Sequence, residues 1–356
     1  MILFLGGGVD SLGIVYRARE MGFSAVVADS DPNAPAIRLL DRADRFILAS
    51  AYSVDDVLRS LTEAPLAVLC AGVDAPHVMA AVAERFDLVG PSPATAELSR
   101  DKVLQIKALM GHVKVPWTEN ADLMAPYPGG EYVLKPADSR GARGVIRVKR
   151  WESAEPWIPE ARARSPTGRV LIQEWVYGAQ LSSESLVQDG KILWTAYAER
   201  NYDRLDETHP YVIEDGSDMP PGIPSFFERD WEMIGNETLQ KCVDVLGFVS
   251  GTLKGDLVWD GKEMTVIEVA CRLSGGRFCS DLIPACWGVD FVGMAIRIAL
   301  GEKVYPGEIR PYLRRHVCQR FQFSDKVTSH PQRGRMVIGK GGNREEARLH
   351  AAVQLA

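Results

Sequence analysis

The chain lacks the cysteine and histidine patterns that would anchor it to zinc or to an oxidising compartment. Its six cysteines (Cys70, Cys242, Cys271, Cys279, Cys286, Cys318) include no Cys-x-x-Cys pair, and its six histidines show no ligand spacing. Reduced, mostly buried thiols are expected. Lys and Arg form no block and the formal net charge is -6, so nothing favours nucleic acid or an anionic membrane as partner. No uninterrupted apolar run approaches the roughly 20 residues that cross a bilayer. Met1–Leu5 is apolar but has no basic flank and runs into three glycines; it reads as a buried first strand rather than a signal peptide, with a cytoplasmic location as the default. No internal repeat is visible. What is present, 46% hydrophobic and 25% charged residues in 356, suits a soluble globular protein of two or three domains.

From Met1 to about Pro93 the pattern alternates strand and helix. Strands are expected at Ile2–Leu5, Ser24–Ala28, Phe46–Leu48, Ala67–Cys70 and Leu88–Val89, with helices at Ser11–Met21, Pro35–Ala43 and Val73–Phe86. This predicts an α/β unit with a doubly wound parallel sheet over residues 1–93. Its first turn, Gly6–Ser11, could bind an anion at a helix start, but it has Ser11 where a dinucleotide fingerprint needs its third glycine. The same run resembles the Ser-Gly-Gly-x-Asp-Ser loop of N-type ATP pyrophosphatases, with Gly6 in place of the leading serine.

Gly90–Pro93 marks the first boundary, and a helix is expected from about Pro93 to Met110. Tyr132–Pro136 reads as a strand with Lys135 at its tip. The Gly-rich basic loop Ala137–Gly144, which includes Arg143, and a return strand Val145–Val148 would complete a lid. A helix near Glu152–Ala163, strands at Arg169–Gly178 and Ala179–Val187, a polar substrate loop at Asn201–Pro224 and a helix at Phe226–Leu246 follow. The tail from about Pro311 should hold a strand at Met336–Gly339 and a helix at Arg344–Leu355.

The densest chemistry lies in two short strands, Leu253–Trp259 and Val266–Gly276, joined by an Asp-Gly turn at Asp260–Gly261 that suggests an antiparallel hairpin. Each places a carboxylate, Asp256 or Glu268, among apolar neighbours. Facing acids in that setting call for a metal ion to neutralise them, unless the pair is simply two solvent-facing side chains. Arg272, four residues after Glu268, could hold a phosphate or a developing oxyanion.

Lys102, Lys135 with its glycine loop, the Glu174–Val176 turn, and the Asp256/Glu268/Arg272 hairpin, in this order and spacing, resemble the ATP-grasp superfamily over most of the chain. Within it the pattern is most similar to carboxylate-amine ligases related to biotin carboxylase and the carbamoyl phosphate synthetase large subunit. The resemblance implies an ATP-grasp domain over 94–310, with a lid at about 115–172 and a C-terminal segment over 311–356. It implies that Lys102, Lys135 and Arg143 bind the phosphates of ATP, that Glu174, Trp175 and Val176 hold adenine, and that Gln180 meets the ribose where relatives often have glutamate. Asp256 and Glu268 would carry Mg²⁺, although Ala270 stands where many relatives place a further asparagine ligand. Lys254, Glu184 and Arg272 would serve catalysis. Ser274, Gly275, Gly276, Arg277 and Arg200 would meet the substrate.

The implied reaction activates a carboxylate as an acyl phosphate and transfers it to an amine, on small and amino-acid-like substrates, with a homodimer as the assembly suggested by relatives. The rivals are an adenylating ligase that uses Gly6–Ser11 and releases pyrophosphate, a non-catalytic nucleotide-binding module, and a carboxylase-type partial reaction on bicarbonate.

Overall fold

The structure, a computed structural model, describes residues 1–123, 130–139, 141–150, 153–224, 230–323 and 333–355. The first sheet is built from β1 (Ile2–Leu5), β2 (Ala25–Asp29), β3 (Arg45–Leu48) and β4 (Ala67–Leu69), all parallel, in the order β3-β2-β1-β4. Every residue of β1 and β4 is buried, as expected of strands covered on both faces. The covering helices are α1 (Leu12–Glu20), α2 (Val54–Ser60) and α3 (Pro76–Phe86).

Two expectations fail in this region, and one helix was not expected. Pro35–Ala43 is only a 3-10 turn over Pro35–Leu39, because the Asp41 side chain captures the Ala43 amide at 2.9 Å and offers the backbone an alternative to helix. Leu88–Val89 is not a strand. Asp87 ends α3 in a left-handed conformation and turns the chain away. α2 carried too weak an apolar stripe to be noticed, with Val57 its one buried residue.

The expected helix over Pro93–Met110 is two, α4 (Pro93–Arg100) and α5 (Lys102–Leu109). Asp101 breaks it: in an extended conformation its Oδ1 accepts from the amides of Val103 and Leu104 at 2.9 and 3.2 Å, a helix cap that places Lys102 at the first helical position.

A four-stranded antiparallel lid sheet follows, from β5 (Thr118–Asn120), β6 (Tyr132–Pro136), β7 (Ile146–Val148) and β8 (Val170–Glu174), with α6 (Ile158–Ala163) packed on it. Arg140 and the helix starts expected at Glu152 and Phe226 lie outside the described residues.

The third sheet has seven strands in the order β13-β12-β9-β10-β11-β14-β15. These are β9 (Ala179–Gln188), β10 (Lys191–Asn201), β11 (Gly216–Met219), β12 (Gly251–Trp259), β13 (Met264–Ala270), β14 (His316–Phe323) and β15 (Arg333–Gly341). Against it lie α8 (Trp231–Leu246), α10 (Phe291–Ala299) and α11 (Arg344–Leu355); the short α7 (Leu205–Thr208) and α9 (Ile283–Trp287) fill connections. The expected hairpin is β12–β13, and α11 matches its expected span.

The polar stretch Asn201–Pro224 is not one irregular loop, since β11 runs through the middle of the sheet between β10 and β14. It read as a loop because its central residues are polar. Asp218 is buried there, and Arg344 and Arg348 from α11 close on it at 3.0 and 2.5 Å, which removes the cost of placing a carboxylate inside a sheet. β10 and β14 had no counterpart in the sequence reading. β14 and β15, from the expected C-terminal segment, extend the same sheet.

Candidate active site

The register of the large sheet explains how distant residues meet. Asp256 on β12 pairs with Glu268 on β13 and with Ser182 on β9, while Lys254 pairs with Ala270 and Glu184. Side chains alternate along a strand, so Lys254 and Asp256 face one way while Gly255 and Leu257 face the helix side. A bulge between Asp256 and Leu257 leaves Ile267 as the extra residue of β13, next to Glu268. Farther across, Arg200 pairs with Ser217, and Ser217 with Gln319. Of these residues, Ser182, Lys254, Asp256, Ile267, Glu268, Arg200, Ser217 and Gln319 line a cavity of about 320 Å³ between the large sheet, the lid and the first sheet.

β13 lies at the edge of the sheet, and two helices satisfy its outer backbone. Gln105 of α5 donates to the Val269 carbonyl at 2.7 Å and accepts from its amide at 2.9 Å, and Ser99 of α4 accepts from the Cys271 amide at 2.9 Å. Both were missed in the sequence. The signal was a buried polar residue on each helix's inner face.

The two carboxylates are met by cations. Lys254 Nζ donates to Asp256 Oδ2 at 2.5 Å, Arg200 approaches Asp256 Oδ1 at 3.4 Å, and Lys102 stands 3.4 Å from Glu268 while donating to the Ser139 carbonyl at 2.9 Å. Burial would raise the Asp256 carboxyl, but Lys254 and Arg200 override it and hold the group well below the usual carboxylate range. Arg200 is itself fixed by Glu214, with contacts of 2.8 and 2.9 Å.

Lys135, at the end of β6, is 5% exposed, and burial lowers its ammonium to about 8, with Glu268 opposing the fall and Lys102 adding to it. Arg143, with Gly141 and Ala142, borders the cavity from the turn that follows β6.

At the hinge between lid and large sheet, Trp175 and Val176 border the cavity. Trp175 donates its amide to the Glu131 carbonyl at 2.8 Å, and its ring lies 4.3 Å beneath the Arg147 guanidinium. Glu174 Oε1 accepts from the Trp117 amide at 2.8 Å, so one oxygen expected for adenine ties β8 to the chain before β5. Gln180 Nε2 donates to the Val176 carbonyl at 3.3 Å.

Arg272 sits at the cavity's inner end, 8% exposed. It pairs with Asp74, which follows β4 of the first sheet, and its Nη1 donates to the Leu273 carbonyl at 3.0 Å. Burial lowers the guanidinium's basicity, but Asp74 more than offsets this and keeps it charged. Ala71 forms a parallel bridge with Leu273, closed by the Gly72 amide to Leu273 and the Leu273 amide to Cys70, both at 3.2 Å. The first sheet thus delivers Asp74 and Asp10 to the same cavity. Neither was anticipated, nor were Glu214, Ser217, Gln319, Phe278 and Phe321.

Two expected residues lie elsewhere. Glu184 is fully buried beneath the cavity, where its Oε2 accepts from the Ser274 amide at 3.1 Å; burial raises its carboxyl to about 7. Its place is under the Ser274–Gly276 loop rather than in the cavity lining. Arg277 turns to Asp281 at 3.0 Å and does not border the cavity, whereas Ser274, Gly275 and Gly276 do. Part of the opening loop is tied to the chain itself: the Gly6 amide donates to the Ala28 carbonyl at 2.8 Å, the Gly7 amide to Asp29 at 2.6 Å, and the Ser11 hydroxyl to the Gly6 carbonyl at 2.7 Å.

Among the described residues, six cations (Lys102, Lys135, Arg143, Arg200, Lys254, Arg272) face six carboxylates (Asp10, Asp74, Glu174, Glu214, Asp256, Glu268) in the cavity lining. A bare triphosphate would leave this lining with excess negative charge, whereas a triphosphate carrying divalent cations is close to neutral and fits it.

A family model described as an ATP-grasp domain matches residues 99–276. The chain belongs to the ATP-grasp family. It is 26% identical over 326 residues to the carbamoyl phosphate synthase large chain of Thermotoga sp. (strain RQ2), covering 85% of this chain and 28% of that protein. It is 23% identical over 339 residues to carnosine synthase 1 of Homo sapiens, covering 83% and 39% respectively. The chain therefore spans well under half the length of these relatives.

The ATP-grasp fold extends over nearly the whole molecule. The L-amino acid ligase from Bacillus licheniformis superposes with a TM-score of 0.71 at 18% identity, over 99% of this chain and 95% of that one. The carboxyaminoimidazole ribonucleotide synthase from Aspergillus clavatus, solved with ATP, gives 0.77 at 15% identity, over 99% and 97%. No helix among the described residues of this ATP-grasp protein is long and apolar enough to cross a membrane.

Proposed function

We propose that this ATP-grasp protein is a ligase that activates a small carboxylic acid with ATP and joins it to an amine. The observation that carries the reading is the cross-strand pair Asp256–Glu268, bordered in one cavity by Lys102, Lys254 and Arg200, with Lys135 and Arg272 on its walls. Phosphoryl transfer to a carboxylate is slowed by repulsion between anions, and positioned cations answer that obstacle without a covalent enzyme nucleophile.

Paired carboxylate oxygens are the donor set that suits magnesium, which is commonly held by one or two carboxylates together with phosphate oxygens. Asp256 and Glu268 would hold it; when bound it supplies charge neutralisation at the β- and γ-phosphates. The Ala270 side chain offers no oxygen, so the remaining ligands would come from phosphate oxygens and water. Lys102, Lys135 and Arg143 hold the phosphates, and the segment Glu174–Val176 with Gln180 holds the nucleoside.

A carboxylate oxygen attacks the γ-phosphorus and the bond to ADP breaks. The substrate ammonium gives up one proton, its freed lone pair attacks the acyl carbon, phosphate leaves with the electrons of the C–O bond, and a second proton passes from the nitrogen to solvent. Arg272 stabilises the oxyanion between these events. The relatives' names support an amide-forming reaction on amino acids: one is a carnosine synthase and another an L-amino acid ligase. The six free, buried thiols suit a reducing compartment such as the cytoplasm.

The test is to incubate the protein with ATP, magnesium chloride and a panel of amino acids, and to separate the nucleotide products. ADP and phosphate released only in the presence of an acid and an amine are expected. AMP with pyrophosphate, or no turnover across the panel, contradicts the assignment.

A further inference from the structure

We infer that Asp10 receives the ammonium group of the amine substrate, and that this substrate carries an apolar side chain against Phe321 and Phe278. The inference rests on the ligase reading above and names the class of its second substrate.

Asp10 belongs to the turn after β1, yet its Oδ1 accepts from the Gly276 amide, 266 residues away, at 2.7 Å. Backbone packs closely on both sides of its carboxylate. A Cβ on Gly275 would lie 3.0 Å from Oδ2, and one on Gly72 would collide with the same atom. Gly72 and Gly276 also adopt positive φ values of 66° and 69°, so side chains there would be strained as well as crowding. These glycines let an acid from the first sheet reach the cavity that Arg272 also borders, where acyl transfer would take place.

The same peptide carries the other recognition groups. A Cβ on Gly276 would lie 3.7 Å from both Phe321 Cζ and Gln319 Nε2. Gln319 donates from Nε2 to the Gly276 carbonyl and meets the Ser217 hydroxyl at 3.4 Å, so its amide is held. Phe321 and Phe278 are 8% and 5% exposed, and both border the cavity. One side of the peptide thus offers a carboxylate and the other an aromatic ring, a pairing that suits an ammonium attached to an apolar body. An acidic side chain would meet Asp10 with like charge, and a second ammonium would have to leave water to lie against phenyl rings.

Hydroxylamine separates this inference from the reading beneath it, because it traps an acyl phosphate as a hydroxamate and, being largely neutral, needs no ammonium site. Wild-type protein and Asp10→Asn, which keeps an oxygen for the Gly276 amide, are compared with L-leucine, L-phenylalanine, L-glutamate or hydroxylamine as acceptor. A charge-assisted hydrogen bond is lost in the variant. The KM for leucine and phenylalanine should therefore rise about 10- to 100-fold more than the KM for the carboxylate in the hydroxylamine reaction. Leucine and phenylalanine should also exceed glutamate as acceptors for the wild type, with the phenylalanine advantage shrinking in Phe321→Ala.

Equal KM changes for acceptor and carboxylate, or a wild type that prefers glutamate, overturn the inference and leave the ligase reading standing. A wild type that makes no hydroxamate with any acid overturns both.

Discussion

Single side chains in and beneath the cavity are governed by the cost of burying charge, and the compensations differ. Asp256 is half-buried among cations and stays ionised; Glu184, two strand positions further along the same face, is fully buried with an amide and is pushed up to about 7. A carboxyl whose folded pKa exceeds its ordinary 4.5 stabilises the fold fully at low pH. It loses that contribution as pH rises through 4.5 toward 7, because the unfolded chain releases its proton first. Glu184→Gln has no proton to lose. Its stability relative to wild type should therefore improve by up to about 3 kcal/mol between those pH values and level off above them. Urea unfolding of both proteins across this range checks the sign, and a difference independent of pH contradicts a neutral buried carboxyl.

At the scale of elements, the sequence made some features plain and hid others for identifiable reasons. The strands of the first sheet were legible as short apolar runs, and the β12–β13 hairpin through its Asp-Gly turn. Lys135 and the paired acids stood out because each interrupts an apolar stretch, and Lys102 through its place in the family pattern. β11 was hidden because the arginines that neutralise Asp218 come from α11, more than a hundred residues later. Asp10 and Asp74 were hidden because nothing local marks them; they face the cavity only through the Ala71–Leu273 bridge.

Gln105 belongs to the same class, a helix residue whose partner is an edge strand 164 residues on. Gln105→Leu would strand the amide and carbonyl of Val269, adjacent to Glu268, at a cost of roughly 2–4 kcal/mol. The magnesium requirement for turnover should rise with it. Denaturation titrations and a metal titration of activity measure the two effects, and a loss of stability without a change in metal requirement would show that Glu268 is positioned independently of α5.

Across the whole molecule, the first sheet and the large sheet share a core. One hydrophobic core joins Ile2, Phe4 and Ile14 to Leu273, Phe278 and Phe291 and to Leu186, Ala198 and Val317 of the large sheet. The Arg272–Asp74 ion pair crosses the same boundary. A seam with this much shared burial should unfold as one cooperative unit with the sheets it joins.

The tryptophans supply a test, since all eight lie beyond residue 116 and none belongs to the strands or helices of the first sheet. Phe4→Ala removes a fully buried ring from the first sheet and should cost about 3–5 kcal/mol. If the seam couples the parts, the tryptophan fluorescence transition in guanidinium must shift by the same amount as the far-ultraviolet circular dichroism transition. If the first sheet folds alone, the fluorescence midpoint stays where the wild type has it and the dichroism curve splits in two. Coupling also bears on catalysis: Asp10 and Asp74 reach the cavity only while the seam is closed, so the same substitution should lower turnover before the global transition begins only if the seam opens locally.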